Sequence, residues 1–194
     1  MPQPRQDQSD YLAHFTKGPN AYQNLISILS ERVIHAGTLP WVNRPAVCLT
    51  ECPWPSLMQH AAQYSPYGIG FNKPFVFAAG GGPVYYVRAD HFNKQEWMDH
   101  VKTFVAPFWP PYRPKKLRGA DWMGGKTVDY SHEREWRVPH DLAFQPDDVE
   151  FIVLKSYEDM AKFPKELKDA IGREKFILMD IYRNIETLWP THKL

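Results

Sequence analysis

The chain has 194 residues, a formal net charge of +1 and 43% hydrophobic residues. That length builds one domain with a proper core and falls short of two comfortable ones, and the apolar fraction excludes a disordered chain. The near-neutral charge excludes a globally basic nucleic-acid or membrane binder, so any such signal must be local.

Seven Trp, 10 Tyr, 11 Phe and 18 Pro point to rigid, aromatic-lined connections rather than a helix bundle. The opening "MPQPRQDQSD" is polar, reads as a disordered lead over residues 1–10, and lacks the apolar core of a signal peptide. No run of about 18 apolar residues occurs, so no membrane span is expected. Cys48 and Cys52 then read as reduced thiols of a cytoplasmic protein.

In chain order, "YLAHFT" (11–16) is a short strand. Tyr22, Leu25, Ile26, Leu29 and Val33 recur at helical spacing, with Asn20 as N-cap and Gly37 as the stop. "AVCLTE" (46–51) reads as a buried strand, and "PSLMQHAAQY" (55–64) as a short helix opened by proline. "YGIGF" (67–71) alternates large and small residues, which leaves one face bare for close approach to the backbone. "GGGPVYYVRA" (80–89) is a glycine turn running into a strand, and "NKQEWMDHVKTFV" (93–105) an amphipathic helix. The stretch 106–126 is irregular and proline-rich. "VEFIVLK" (149–155) is a strand; 157–172 is helical in two pieces around Pro164; the first half of "KFILMDIYRNIETLW" is open between strand and helix. Short strands broken by a few helices, without regular βαβ alternation, predict an α+β domain. It spans 11–194 as a single unit, with 156–194 as a C-terminal extension.

The chemistry-bearing segment is "YSHEREWRVP" (130–139). Read as a strand, it puts Tyr130, His132, Arg134, Trp136 and Val138 on one face and Glu133, Glu135 and Arg137 on the other. Two carboxylates then stand about 7 Å apart with a guanidinium beside them. A solvated strand face with an internal Glu–Arg pair explains these letters as well as a site does. His-Glu-x-x-Trp excludes the helical zinc-protease signature, which needs His in the fifth place. Carboxylates side by side on one strand also do not face each other across a substrate, as a glycosidase requires. Between 107 and 126, Arg113, Lys115, Lys116 and Arg118 interleave with Trp109, Tyr112 and Trp122. That composition suits phosphate contact with base stacking, or else a proline-stiffened surface loop. Cys48, Cys52 and His60 lack zinc spacing and a fourth ligand, so no metal is expected. Gly80–Gly82 lacks the Gly-Lys-Ser/Thr of a phosphate loop.

Taken in order, "LAHFT", "NLISILSERVIHAG", "VCLTECPWPSLMQHAAQYSPYGIGFNKPF", "GPVYYV" and "HEREWRV" resemble the AbiGi-like and DarT-like ADP-ribosyltransferase-fold proteins of phage defence and toxin–antitoxin systems, over about residues 11–155. The resemblance implies split, mainly antiparallel β-sheets with a few peripheral helices, and a cleft for NAD, used as a substrate. It implies Glu135 as the catalytic carboxylate, with Glu133 aiding the acceptor. His14, on the first strand, is implied to bind the NAD ribose, and Thr16, two residues on and on the same face, to add a hydroxyl or backbone contact to the cofactor. Tyr67 and Phe71 border the cofactor, Tyr67 by stacking on nicotinamide. The loop Trp109, Tyr112, Arg113, Lys115, Lys116, Arg118, Trp122 sits where such enzymes select an acceptor, here a nucleic acid or a protein. Two other outcomes stay open: a non-catalytic sensor or antitoxin that binds a defence-operon partner, and an NAD glycohydrolase that uses water.

Overall fold

The computed structural model describes residues 8–51, 64–112, 126–181 and residue 184. The run at the N-terminus forms strand β1 (Tyr11–Phe15), in which Leu12, Ala13 and Phe15 are buried, as a strand covered on both faces must be. Helix α1 (Ala21–Glu31) buries Ala21, Leu25 and Leu29. Asn20 takes the N-cap position without a side-chain cap bond. The helix ends earlier than Gly37, at Arg32, whose N–H still bonds the Ile28 carbonyl while its left-handed backbone (φ 55°) turns the chain out of the helix. The β-branched pair Val33–Ile34 then leaves the helix as β2 and pairs with β10 (Leu142–Ala143).

A hairpin follows, β3 (Gly37–Leu39) and β4 (Arg44–Thr50), with Asn43 at φ 50° in the turn. The helix expected at 55–64 lies outside the described residues, except for Tyr64. Strand β5 (Gly68–Asn72) leads directly into α2 (Lys73–Ala78), where the Asn72 side chain accepts the Phe75 N–H at 2.8 Å. The expected strand 80–89 is two pieces, β6 (Gly82–Pro83) and β7 (Tyr85–Arg88), in different sheets. The amphipathic helix expected at 93–105 shrinks to one turn. Helix α3 (Ala89–Phe92) precedes it, α4 (Asp99–Lys102) buries no residue, and Val105 instead begins β8 (Val105–Phe108). Parallel pairing of β8 with β7 buries Val105 against Val87 and Phe92, which the helix would have left apart.

Strands β9 (Glu135–Val138) and β11 (Val149–Leu154) follow, then α5 (Tyr157–Lys162) and α6 (Lys165–Ile171), divided at Pro164 as the sequence predicts. The ambiguous run starts as strand, β12 (Phe176–Leu178), and turns helical over residues 179–181. The main sheet runs β12-β11-β5-β1-β4-β9-β6, with β3 beside β4, and only its β11–β12 pair is parallel. The protein is therefore an α+β domain with a mostly antiparallel sheet and several helices. One apolar cluster links α1, the sheet and α6 through Leu12, Leu25, Ile69, Phe71, Val138 and Ile171.

One seam of this sheet is nearly open. β1 and β5 hold five residue pairs in register, Tyr11↔Asn72 through Phe15↔Gly68. β1 and β4 hold one, Ala13↔Thr50. Past that pair the two strands part.

Candidate functional site

At the parting, a side chain replaces the backbone ladder. His14 Nδ1 lies 2.9 Å from the Cys48 carbonyl oxygen. A carbonyl only accepts, so Nδ1 carries the hydrogen. Burial pushes the His14 pKa below its ordinary value; the bond to Cys48 opposes this and the Lys17 charge adds to it. The ring is then neutral at neutral pH, which leaves Nε2 as an acceptor.

The gap beside His14 is a cavity of about 380 Å³ whose lining includes His14, Cys48, Thr50, Tyr64, Glu133 and Glu135. A second, of about 500 Å³, shares His14, Phe15, Lys17 and Cys48 and extends toward α1, reaching Glu31 and His35.

The two glutamates reach the first cavity differently from the strand pattern. Residues 131–133 form a 3-10 turn, Arg134 is left-handed (φ 45°), and only then does β9 begin. Glu133 therefore does not sit two residues along a strand from Glu135. The Arg134 turn brings it back to the same cavity, and Thr50 Oγ1 fixes that turn by donating to the Glu133 carbonyl at 2.6 Å. The Glu133 carboxylate is 9% exposed at the residue level and accepts from the Tyr64 hydroxyl at 2.5 Å. Burial raises its pKa above the ordinary carboxylate value; the Tyr64 bond opposes this, and the nearby Glu135 charge adds to it.

Glu135 is gripped. Arg137 Nε and Nη2 donate to its two oxygens at 2.8 and 2.9 Å. Arg137 Nη1 donates to the Thr103 and Val105 carbonyls at 2.8 and 3.1 Å. This guanidinium, in a residue only 3% exposed, ties β9 to the start of β8 and fixes the carboxylate bidentately. Glu135 and Arg137 face the cavity, whereas Val138 is fully buried in the core and Trp136 packs against it. The Cys48 thiol is pushed up to about 12 by burial first, then by the charge of Glu135 and a hydrogen bond to it. Cys48 therefore favours the protonated thiol at neutral pH.

Lys17 lines both cavities, and its Nζ lies 4.5 Å from the centroid of the Tyr64 ring. Thr16 lines the second cavity, but its hydroxyl donates to the Ala21 carbonyl at 2.8 Å and so locks the junction of β1 and α1.

The structure thus brings His14, Glu133 and Glu135 together, with Thr16 next door. Tyr67 and Phe71 line neither cavity. The Tyr67 hydroxyl donates to Asp159 at 3.0 Å, and its pKa is pushed up to about 12 by burial, then by that bond. Phe71 is fully buried, opposite Leu12 in the closed seam, and stacks on Phe75 with centroids 5.2 Å apart. Of the basic-aromatic loop, Trp109 is 1% exposed and bridged to Val128, so it packs inward, while Tyr112 is 76% exposed. Arg113, Lys115, Lys116, Arg118 and Trp122 lie outside the described residues.

Arg137, Lys17 and Tyr64 are among the cavity residues that escaped the sequence reading as site members. Arg137 had a signal, since a cation two places from Glu135 on a strand shares its face. Lys17 and Tyr64 had none, because both arrive by the course of the chain around the seam. Among the described residues, no group of three or more His, Cys, Asp and Glu could hold a metal ion. Cys52 and His60 lie outside them. No described helix is long and apolar enough to cross a membrane.

No curated protein and no solved structure matches the chain. Residues 31–123 match the family described as "Putative abortive phage resistance protein AbiGi, antitoxin". The match takes in Cys48, Thr50 and Tyr64 but neither His14 nor the two cavity glutamates. Over that stretch, then, the chain is similar to a phage-defence family.

Proposed function

We propose that this is a phage-defence protein whose opened seam binds NAD and presents Glu135 to the ribose that carries nicotinamide, for ADP-ribosyl transfer to a nucleic-acid or protein acceptor. The observation that carries this reading is that His14, from the first strand, and Glu135, from a late one, line one cavity. The two adjoining cavities fall in the size range of small-molecule sites.

The chemistry is loss of nicotinamide from ribose C1′. The bonding pair leaves with nicotinamide, and positive charge builds on the ring as in glycoside cleavage. A carboxylate held rigidly at the 2′-hydroxyl stabilises that charge more in the transition state than in the bound substrate. Arg137 supplies the rigidity for Glu135. His14 Nε2, an acceptor, suits a ribose hydroxyl. Glu133, with its pKa raised toward the working pH, suits removal of the acceptor's proton as the acceptor bonds to C1′.

A second reading has its own support. Arg137 engages both oxygens of Glu135 and offsets its charge, and the matching family is described as an antitoxin. The same cavity would then serve a non-catalytic sensor or antitoxin of a defence operon. Incubation with NAD labelled on adenine, with Glu135→Gln as control, separates the two. Transfer of label to macromolecule, abolished by Glu135→Gln, is expected of the enzyme. NAD binding without nicotinamide release by either protein would leave the regulatory reading standing and remove the catalytic one.

A further inference from the structure

Lys17 and the Tyr64 ring face form a contact that the carboxylate chemistry does not use. Lys17 is exposed at the end of β1 and is followed by Gly18 at φ 81°. Its ammonium nevertheless folds over Tyr64 at 4.5 Å, within cation–π range. Tyr64 is held in place by its bond to Glu133, and Glu135 lines the same cavity. An aromatic face that already holds a cation, on a ring whose hydroxyl bonds a carboxylate, is a place for a flat cation.

We infer that Lys17 determines ligand class by exchange: a ligand's cationic ring takes the Tyr64 face, and the displaced Lys17 ammonium takes the ligand's phosphate. The argument is one of supply. Lys17 and Arg137 are the Lys and Arg side chains lining the first cavity. Arg137 directs its donors to Glu135 and to two carbonyls. Lys17, on a flexible stem, also borders the second cavity and can reach an anion there. A ligand with a cationic ring alone competes with Lys17 and gives it nothing. A ligand with phosphate alone draws Lys17 away and leaves the ring face unmatched. A ligand with both satisfies both groups. Oxidised nicotinamide dinucleotide has both features and its reduced form lacks the cation, so the inference rests on the NAD reading and sharpens it to the oxidised form.

Titration calorimetry on the full chain tests the exchange with two fragments of NAD. Nicotinamide riboside carries the cationic ring without phosphate, and ADP-ribose carries phosphates without the ring. The Lys17→Met variant keeps the stem and is exposed, so folding is spared. It is expected to weaken ADP-ribose about tenfold or more, through loss of a charged contact. It is expected to tighten nicotinamide riboside about threefold, through removal of a competing cation. The opposite signs are the signature. Tyr64→Leu should abolish the preference for NAD over NADH. If wild type binds NAD and Lys17→Met shifts both fragments the same way, or neither, the exchange is overturned while the NAD reading stands. If wild type binds no nicotinamide nucleotide, both fall.

Discussion

β1 has two neighbours, and the sheet treats them differently. Toward β5 it is closed by five registered pairs, with Gly68 letting Phe15 lie against the backbone, while on the far side of β5 Gly70 does the same for Phe151 of β11. A Cβ on Gly70 would stand 2.3 Å from the Phe151 ring. Toward β4 it keeps one pair, and the His14 bond to the Cys48 carbonyl carries what the ladder does not, while Thr50 ties β4 to the Arg134 turn on its other side. The closed seam is held by many small, interchangeable contacts. The opened seam is held by that one pair and the His14 bond, and the cavity lies between them and the Thr50-bonded turn. Stability and site are thus divided between the two sides of one strand.

The largest expected effect breaks the opened side. Arg137→Met leaves the Glu135 carboxylate partly buried without its partner and removes the Arg137 bonds to the Thr103 and Val105 carbonyls. Removing one member of a buried pair costs about 3–5 kcal/mol, read as a lower denaturant midpoint. Adding Glu135→Gln to Arg137→Met should recover part of that loss. A double variant no more stable than the single would mean that the carbonyl contacts, rather than the ion pair, hold β9 in place.

Next comes the closed side. Leu12 is fully buried opposite Phe71. Leu12→Ala should cost about 2–5 kcal/mol by transfer and cavity terms, yet leave nucleotide affinity of the folded fraction unchanged. Thr50→Val, across the opened seam, should cost only about 1 kcal/mol, yet disturb the Glu133 turn and so lower affinity. Equal effects of the two on affinity would show that the seams are not separable.

The closed side was legible in the sequence, and the opened side only in part. The short runs "YLAHFT" and "VEFIVLK" and the large–small alternation of "YGIGF" mark strands, because strands buried on both faces read as short, mostly apolar runs. Pro164 marks the break between α5 and α6 because it cannot donate to a helix. The site depends on departures from period. Glu133 and Glu135 look like strand neighbours, and a left-handed Arg134 between them is invisible to alternation. Trp97 and Val101 have helical spacing, but parallel pairing of β7 and β8 claims Val105 and leaves one turn of helix. Phe71 looks available on a glycine-spaced strand, and register with Leu12 buries it.

The smallest effect is a difference in sign with pH, and it tests the two sides of the cavity against each other. His14 has its folded pKa lowered by burial. Below its ordinary value of about 6.5 the unfolded chain takes up a proton that the folded chain resists, so stability falls as pH falls from there toward the folded value. Glu133 has its folded pKa raised by burial. Its contribution is fully present below the ordinary carboxylate value and is lost as pH rises through the folded one. The two residues therefore tilt the stability profile in opposite directions. His35 adds its own tilt, because its bond to Asp141, then that to Glu31, raises its pKa. Each variant is thus compared with wild type rather than read alone. Denaturant midpoints between about pH 7 and pH 5 should fall less steeply in His14→Gln than in wild type, and more steeply in Glu133→Gln. A His14→Gln profile that runs parallel to wild type would mean that the imidazole is not held neutral against Cys48, and the opened seam would then lack the bond that positions its acceptor nitrogen.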